Sequence, residues 1–201
     1  MKHASSRDVF NYWNERRGVR PAPDRNEIEP SAIRRALGDT FILTFDADAG
    51  HPFRLAGTRV CALFCGELKG RPFLPLWENT QRGALRELIG IVDEELVGVV
   101  AGVTGSPATG TALAPAAPID LELLLLPLHH RIGRRVRLLG VLAPIAPPYW
   151  LGAHPLTGLR LGSLRHLDPG LETTAAPGLR SGRAADDLRA RLVVHEGGRT
   201  Q

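Results

Sequence analysis

Three apolar, strand-like segments, residues 97–104, 121–126 and 135–142, follow one another in the second half of the chain with no long helical pattern between them. This succession restricts the fold more than any other feature. Parallel neighbours require a crossover of about a dozen residues or more, usually a helix. The first two segments are instead joined by GSPATGTALAPAAP, small residues and prolines suited to a loop or an extended edge. The sheet they form should therefore be largely antiparallel.

The preceding part of the chain supplies the other elements. From residue 80 to about 96, Leu85, Leu88, Ile89, Val92 and Leu96 recur at helical spacing and define an amphipathic helix. Residues 40–45 alternate Phe41, Leu43 and Phe45 against Ile42 and Thr44, as a strand does. DADAG turns the chain, and residues 51–56 return as its hairpin partner. Thr58 is placed to cap a short helix carrying Val60, Leu63 and Phe64. Near the N-terminus, Ser5 or Ser6 can cap a helix whose Val9, Phe10 and Trp13 share a face and which Gly18 ends. The connector RPAPDRNEIEP and a short helix over 31–37, with Ile33 and Leu37 on one side, complete an N-terminal helical cap.

This order of elements belongs to the α+β class. A chain of 201 residues suits one main domain with additions. We assign residues 1–38 to the cap, 39–167 to the domain and 168–201 to a flexible tail with a marginal helix around 184–194. Phe41, Leu43, Phe64, Leu88, Val99, Leu125 and Leu138 should share one core.

Catalytic and metal chemistry find little support. No G-x-S-x-G elbow or P-loop occurs, and GVVAGVTG is better read as a strand with glycines where something packs closely. Cys61 and Cys65 sit one helical turn apart, where Cβ atoms lie about 5–6 Å apart, beyond the roughly 4 Å that a disulfide needs. Both read as small core residues. His129 and His130 would point to opposite faces of a strand and cannot share a metal. No nucleophile, acid or base constellation can be assembled, so the chain does not read as an enzyme.

Glu122 stands in an apolar strand, on one face with Leu124 and Leu126. A buried unpaired carboxylate is costly, so an ion pair with Arg135 or Arg137 on the neighbouring strand is favoured over a ligand contact. The net charge of +4 and pI near 9.7 raise nucleic-acid binding as the alternative function, through Arg131, Arg134, Arg135 and Arg137. Arg180, Arg183, Arg189 and Arg191 are interspersed with Asp186 and Asp187, as on a solvated surface, and no groove-entry motif accompanies the charge. The longest apolar run, 121–128, is interrupted by Glu122 and Pro127 and is too short to span a bilayer. MKHASSRDVFNYW has no apolar core followed by a cleavage site, and cytoplasmic residence is expected.

FRLAGTRVCALFCGELKGRPFLPLW, LELLLLPL, RLLGVLAP and PPYWLGAHPLTGLRLGSLRHL, in that order, resemble the motifs of a bacterial family of small stand-alone PAS proteins. The likeness covers roughly residues 9–167. Cys65 stands where that pattern has glycine, and Gly66 where it has arginine. The resemblance implies a five-stranded antiparallel sheet with short helices on one face, where Gly57, Gly66 and Gly70 let the chain turn closely to build the wall of an internal pocket. Phe64, Trp77, Leu85, Ile89, Val100, Leu124 and Leu138 are the pocket candidates, and a small ligand there is left unnamed, as is any cofactor. It also implies a regulatory module for sensing or relaying a signal through a signalling protein partner or as a homodimer, with Val9, Phe10 and Trp13 as interface candidates. Their other reading is packing on the chain's own sheet.

Overall fold

The structure is a computed structural model that describes residues 1–108, 117–129 and 137–167. His130, Arg131, Arg134, Arg135, the tail 168–201 and its expected helix lie outside the described residues. Helix α1 (Ala4–Arg17) opens the chain and is followed by three short 3-10 turns. Strands β1 (Thr40–Thr44) and β2 (Phe53–Ala56) form the expected hairpin, and the short helix α2 (Thr58–Leu63) follows. After two more 3-10 turns come α3 (Arg82–Glu95), β3 (Gly98–Pro107), β4 (Ile119–Leu128), β5 (Arg137–Pro144) and β6 (Leu156–Leu167).

The strands make one antiparallel sheet in the order β2-β1-β5-β4-β3-β6. Among the described residues it has six strands, not the expected five. The extra strand, β6, has no strand signature in the sequence because its leucines, Leu156, Leu159, Leu161 and Leu164, do not alternate regularly. Its pairing with β3 shifts register between Ala101 and Val103 and again between Gly105 and Pro107. Each irregularity breaks the period of two by which a strand is recognised.

Both faces of the sheet are apolar in its middle. On the inner face, Val99, Ala101, Leu123, Leu125, Leu138 and Leu142 pack with α2, α3 and the 3-10 turns in one cluster. All seven residues expected to share a core belong to that cluster. On the outer face, Val100, Leu124, Leu126, Leu128, Leu139 and Val141 pack under α1 and the connector. The unbroken leucine run of β4 follows from this, since a strand covered on both sides has no solvent face to fill with polar residues.

Local details differ from expectation in ways the geometry explains. His3, not a serine, caps α1 by accepting from Ser5 N, which leaves the Ser5 and Ser6 side chains for other contacts. Gly57 is the cap residue of α2, and Thr58 is the first residue of the helix. A Cβ at Gly57 would overlap the carbonyl oxygens of Leu37 and Gly38, so Ala-Gly-Thr marks a close approach of backbones. Leu96 lies beyond the last turn of α3 in a left-handed conformation, φ 54°. Cys61 is half-buried and Cys65 exposed, so neither is a full core residue. Cys65 has φ 49°, a conformation that favours glycine, which accounts for the glycine in the pattern it resembles.

Candidate functional site

The inner layer is the first place to look. Phe64, Trp77, Leu85, Ile89 and Leu138 share the cluster between the sheet and the helices. Val100 and Leu124 do not: they lie on the outer face among residues packed under α1. The correction follows from alternation. With Val99 and Leu125 facing inward, their neighbours Val100 and Leu124 must face outward. The inner space is filled by aromatic rings, with Phe41, Phe53, Phe73 and Trp77 in successive contacts at centroid distances of 5.5–5.7 Å.

Among the buried polar atoms that lack a partner in the described residues are one of Trp77 and one of His51. Trp77 is 1% exposed, and its Nε1 meets no acceptor. His51, at φ 56° in the β1–β2 turn, packs its ring on Phe45 at 5.2 Å. Its Nδ1 accepts from Asp46 N at 3.3 Å, and its Nε2 is unpartnered. Burial lowers the His51 pKa, Asp46 opposes that shift, and Arg86 reinforces it, so the ring is held toward its neutral form. Sequence reasoning singled out neither role, because nothing in DADAGH marks a buried imidazole.

The polar organisation is concentrated where α1 meets the sheet. Glu122 is 5% exposed and accepts from Lys2 N at 2.6 Å and His3 N at 3.0 Å. Burial pushes its pKa up, but these amides, the Ser6 side chain and the N-terminal ammonium outweigh burial and hold it below the ordinary value. The expected pair with Arg137 is not formed. Glu122 stands opposite Gly102 and Ala143, whereas Arg137 stands opposite Leu128 and Thr44, at the far end of β4. Its other expected partner, Arg135, lies outside the described residues.

A second carboxylate reaches both layers. Asp39, 2% exposed, accepts from Ser5 Oγ of α1 at 2.6 Å and from Nε and Nη2 of Arg59 at 2.6 Å each. Arg59 belongs to α2 and raises its own pKa through this pairing, against a smaller effect of burial. One buried acid thus ties the outer helix to an inner one. No sequence signal could have identified this trio, whose members are separated by 20 and 34 positions.

Farther along α1, Trp13 Nε1 donates to Pro127 O at 2.8 Å, and the Tyr12 hydroxyl donates to Glu27 O at 3.0 Å and accepts from Glu29 N at 2.8 Å. Val9 and Trp13 are buried against the sheet, so these two interface candidates engage their own domain; Phe10 is half-buried and stacks on Trp13. Among the described residues, no three His, Cys, Asp or Glu side chains converge in a way that could hold a metal ion. Among them also, no helix is long and apolar enough to cross a membrane.

A family model described as PAS domain matches residues 1–143. No curated protein matches the chain. Among solved structures, the chain is similar to one titled "Structure of an RNA-binding Light-Oxygen-Voltage Receptor", with 20% sequence identity and a TM-score of 0.37. That similarity covers 61% of this chain and 35% of the other, about a third of its length.

Proposed function

The chain belongs to the PAS domain family, whose model covers residues 1–143, and from that premise we propose that it is a cytoplasmic regulatory module, sensing or relaying a signal through contacts with other proteins. The observation that supports this reading most is the Ser5–Asp39–Arg59 linkage. A displacement of α2, which forms part of the inner layer, alters the hydrogen bonds that seat α1 on the outer face. The outer face is apolar beneath α1, so a loosened helix offers both itself and the sheet to a signalling partner or a second copy. A small ligand of the inner layer would find the unpartnered Trp77 Nε1 as its hydrogen-bond donor. The module has no catalytic role in this reading.

Nucleic-acid binding, the alternative drawn from charge, relies on Arg131, Arg134 and Arg135, which lie outside the described residues. Steep weakening with salt would mark it. The test of the proposed coupling is hydrogen exchange on the full chain, comparing wild type with Arg59→Gln. Amides of residues 4–17 should exchange faster in the variant although Arg59 belongs to α2. Unchanged exchange there, with faster exchange confined to α2, would refute the coupling.

A further inference from the structure

The turn between β1 and β2 is closed around a histidine. His51 is 1% exposed and sits at φ 56°, in the left-handed region that few residues other than glycine adopt. Its backbone N–H donates to Asp46 O at 2.8 Å, and its ring reaches back so that Nδ1 accepts from Asp46 N at 3.3 Å. A ring nitrogen that accepts carries no proton, so the proton of the neutral ring is on Nε2. That N–H is buried and meets no acceptor among the described residues. The geometry thus fits the neutral ring alone, since a protonated Nδ1 would set one donor against another.

The same turn holds one wall of the inner layer. Gly50 O accepts from Phe73 N at 2.9 Å and from Leu74 N at 3.2 Å, and Phe73 N also donates to His51 O at 3.3 Å. Farther on, Pro52 bridges to Pro72, and Phe53 N donates to Arg71 O at 2.9 Å. These bonds position Phe73, whose ring packs on those of Phe41, Phe53 and Trp77. Burial, the largest influence on the imidazole, and Arg86 of α3 oppose its charged form, whereas Asp46 favours it. The Asp46 carboxylate is also engaged locally, with Oδ1 accepting from Ala49 N at 3.0 Å. The segment bonded to the turn contributes Pro72, Phe73 and Leu74, and the ring against the imidazole is that of Phe45, none of them ionisable.

We propose that His51 is a proton-operated catch, whose protonation opens the β1–β2 turn and releases the segment 70–74 that the turn holds. A buried charge is driven toward water, and a ring this enclosed reaches water by rearrangement of the turn. That rearrangement moves the carbonyls of Gly50 and His51, which accept from Phe73. The protonation state of the turn is thereby passed to Phe73 and the rings packed on it. Because the native pKa lies below the ordinary 6.5, the opened turn takes up the proton more readily than the closed one. The stability of the closed turn is complete above the ordinary value and is lost as pH falls from there through the native one. As a signal input the catch rests on the proposed sensory role, but the acid-sensitive opening itself does not.

The test is hydrogen exchange on the full chain from about pH 8 to about pH 5, the range in which imidazole is the side chain that ordinarily changes charge, with rates corrected for the intrinsic effect of pH. Residues 70–74 and the turn should lose protection as pH falls below 6.5, by up to about tenfold per pH unit, the limit for uptake of one proton. His51→Asn supplies an amide oxygen in place of Nδ1, tolerates the left-handed backbone and does not titrate. Protection of 70–74 in this variant should not depend on pH in that range. If the variant folds poorly, NMR titration of the His51 ring in the wild type decides, with a midpoint expected below 6.5 that coincides with the loss of protection. Unchanged protection of 70–74 in the wild type, an equal loss in His51→Asn, or a ring midpoint at or above 6.5 would each overturn the proposal. The Arg59→Gln experiment reads residues 4–17, so failure of the coupling and failure of the catch are seen separately.

Discussion

Replacing Glu122 by Gln tests the attachment of α1 most directly. The carboxylate is almost fully buried and receives two backbone N–H groups, from Lys2 and His3. Gln keeps the size and one acceptor oxygen but turns an NH2 donor toward a backbone donor. Hydrogen bonds to a charged group contribute about 1.5–3 kcal/mol each, and a buried donor left unsatisfied costs about 1–3 kcal/mol. Losing one bond while the other weakens should therefore cost about 2–3 kcal/mol in urea unfolding at neutral pH. The pH dependence gives a second, sharper test. The native pKa of Glu122 lies below its ordinary value of 4.5, so native protein releases this proton more readily than unfolded chain. The associated stabilisation is complete above the unfolded value and is lost as pH falls through the native one. The difference between wild type and Glu122→Gln should consequently shrink as pH is lowered through and below 4.5. A neutral-pH difference below about 0.5 kcal/mol, the size of an ordinary surface change, would refute the reasoning. So would a difference that does not change with acid.

Two further substitutions test the packing and backbone arguments. Leu88 faces the inner core at 5% exposure, and Leu88→Ala should cost about 2–5 kcal/mol by denaturant unfolding; a loss within about 0.5 kcal/mol would mean that the α3 face is misassigned. Cys65 holds φ 49° while its side chain is exposed, so Cys65→Gly should relieve about 1 kcal/mol of backbone strain, partly offset by the greater freedom of glycine in the unfolded chain. A raised melting temperature is expected, and a lowered one would show that the strain argument is wrong.

Several features of the fold are legible in the sequence because they depend on short-range pattern. The spacing of Leu85, Leu88, Ile89 and Val92 defines α3, and the alternation around Phe41 and Leu43 defines β1. The small-residue and proline-rich connector after residue 104 is suited to a loop, which points to antiparallel pairing. The motifs from Phe53 to Gly70 and along β4 and β5 carry the likeness to PAS proteins that the family match bears out.

What only the tertiary structure decided lies where pattern is ambiguous or partners are distant. Because both faces of β4 and the middle of β3 are covered, their apolar residues alone do not tell inner from outer, and Val100 and Leu124 lie in the outer layer in place of the expected inner one. Bulges in the β3–β6 pairing erased the alternation that would have marked β6. Glu122 found backbone amides 119 and 120 positions away in place of a neighbouring arginine. Asp39 drew Ser5 and Arg59 from two layers. A hydrogen bond between distant segments leaves no periodic trace in either, since the local chain fixes which groups are available and only the packed fold determines which of them meet.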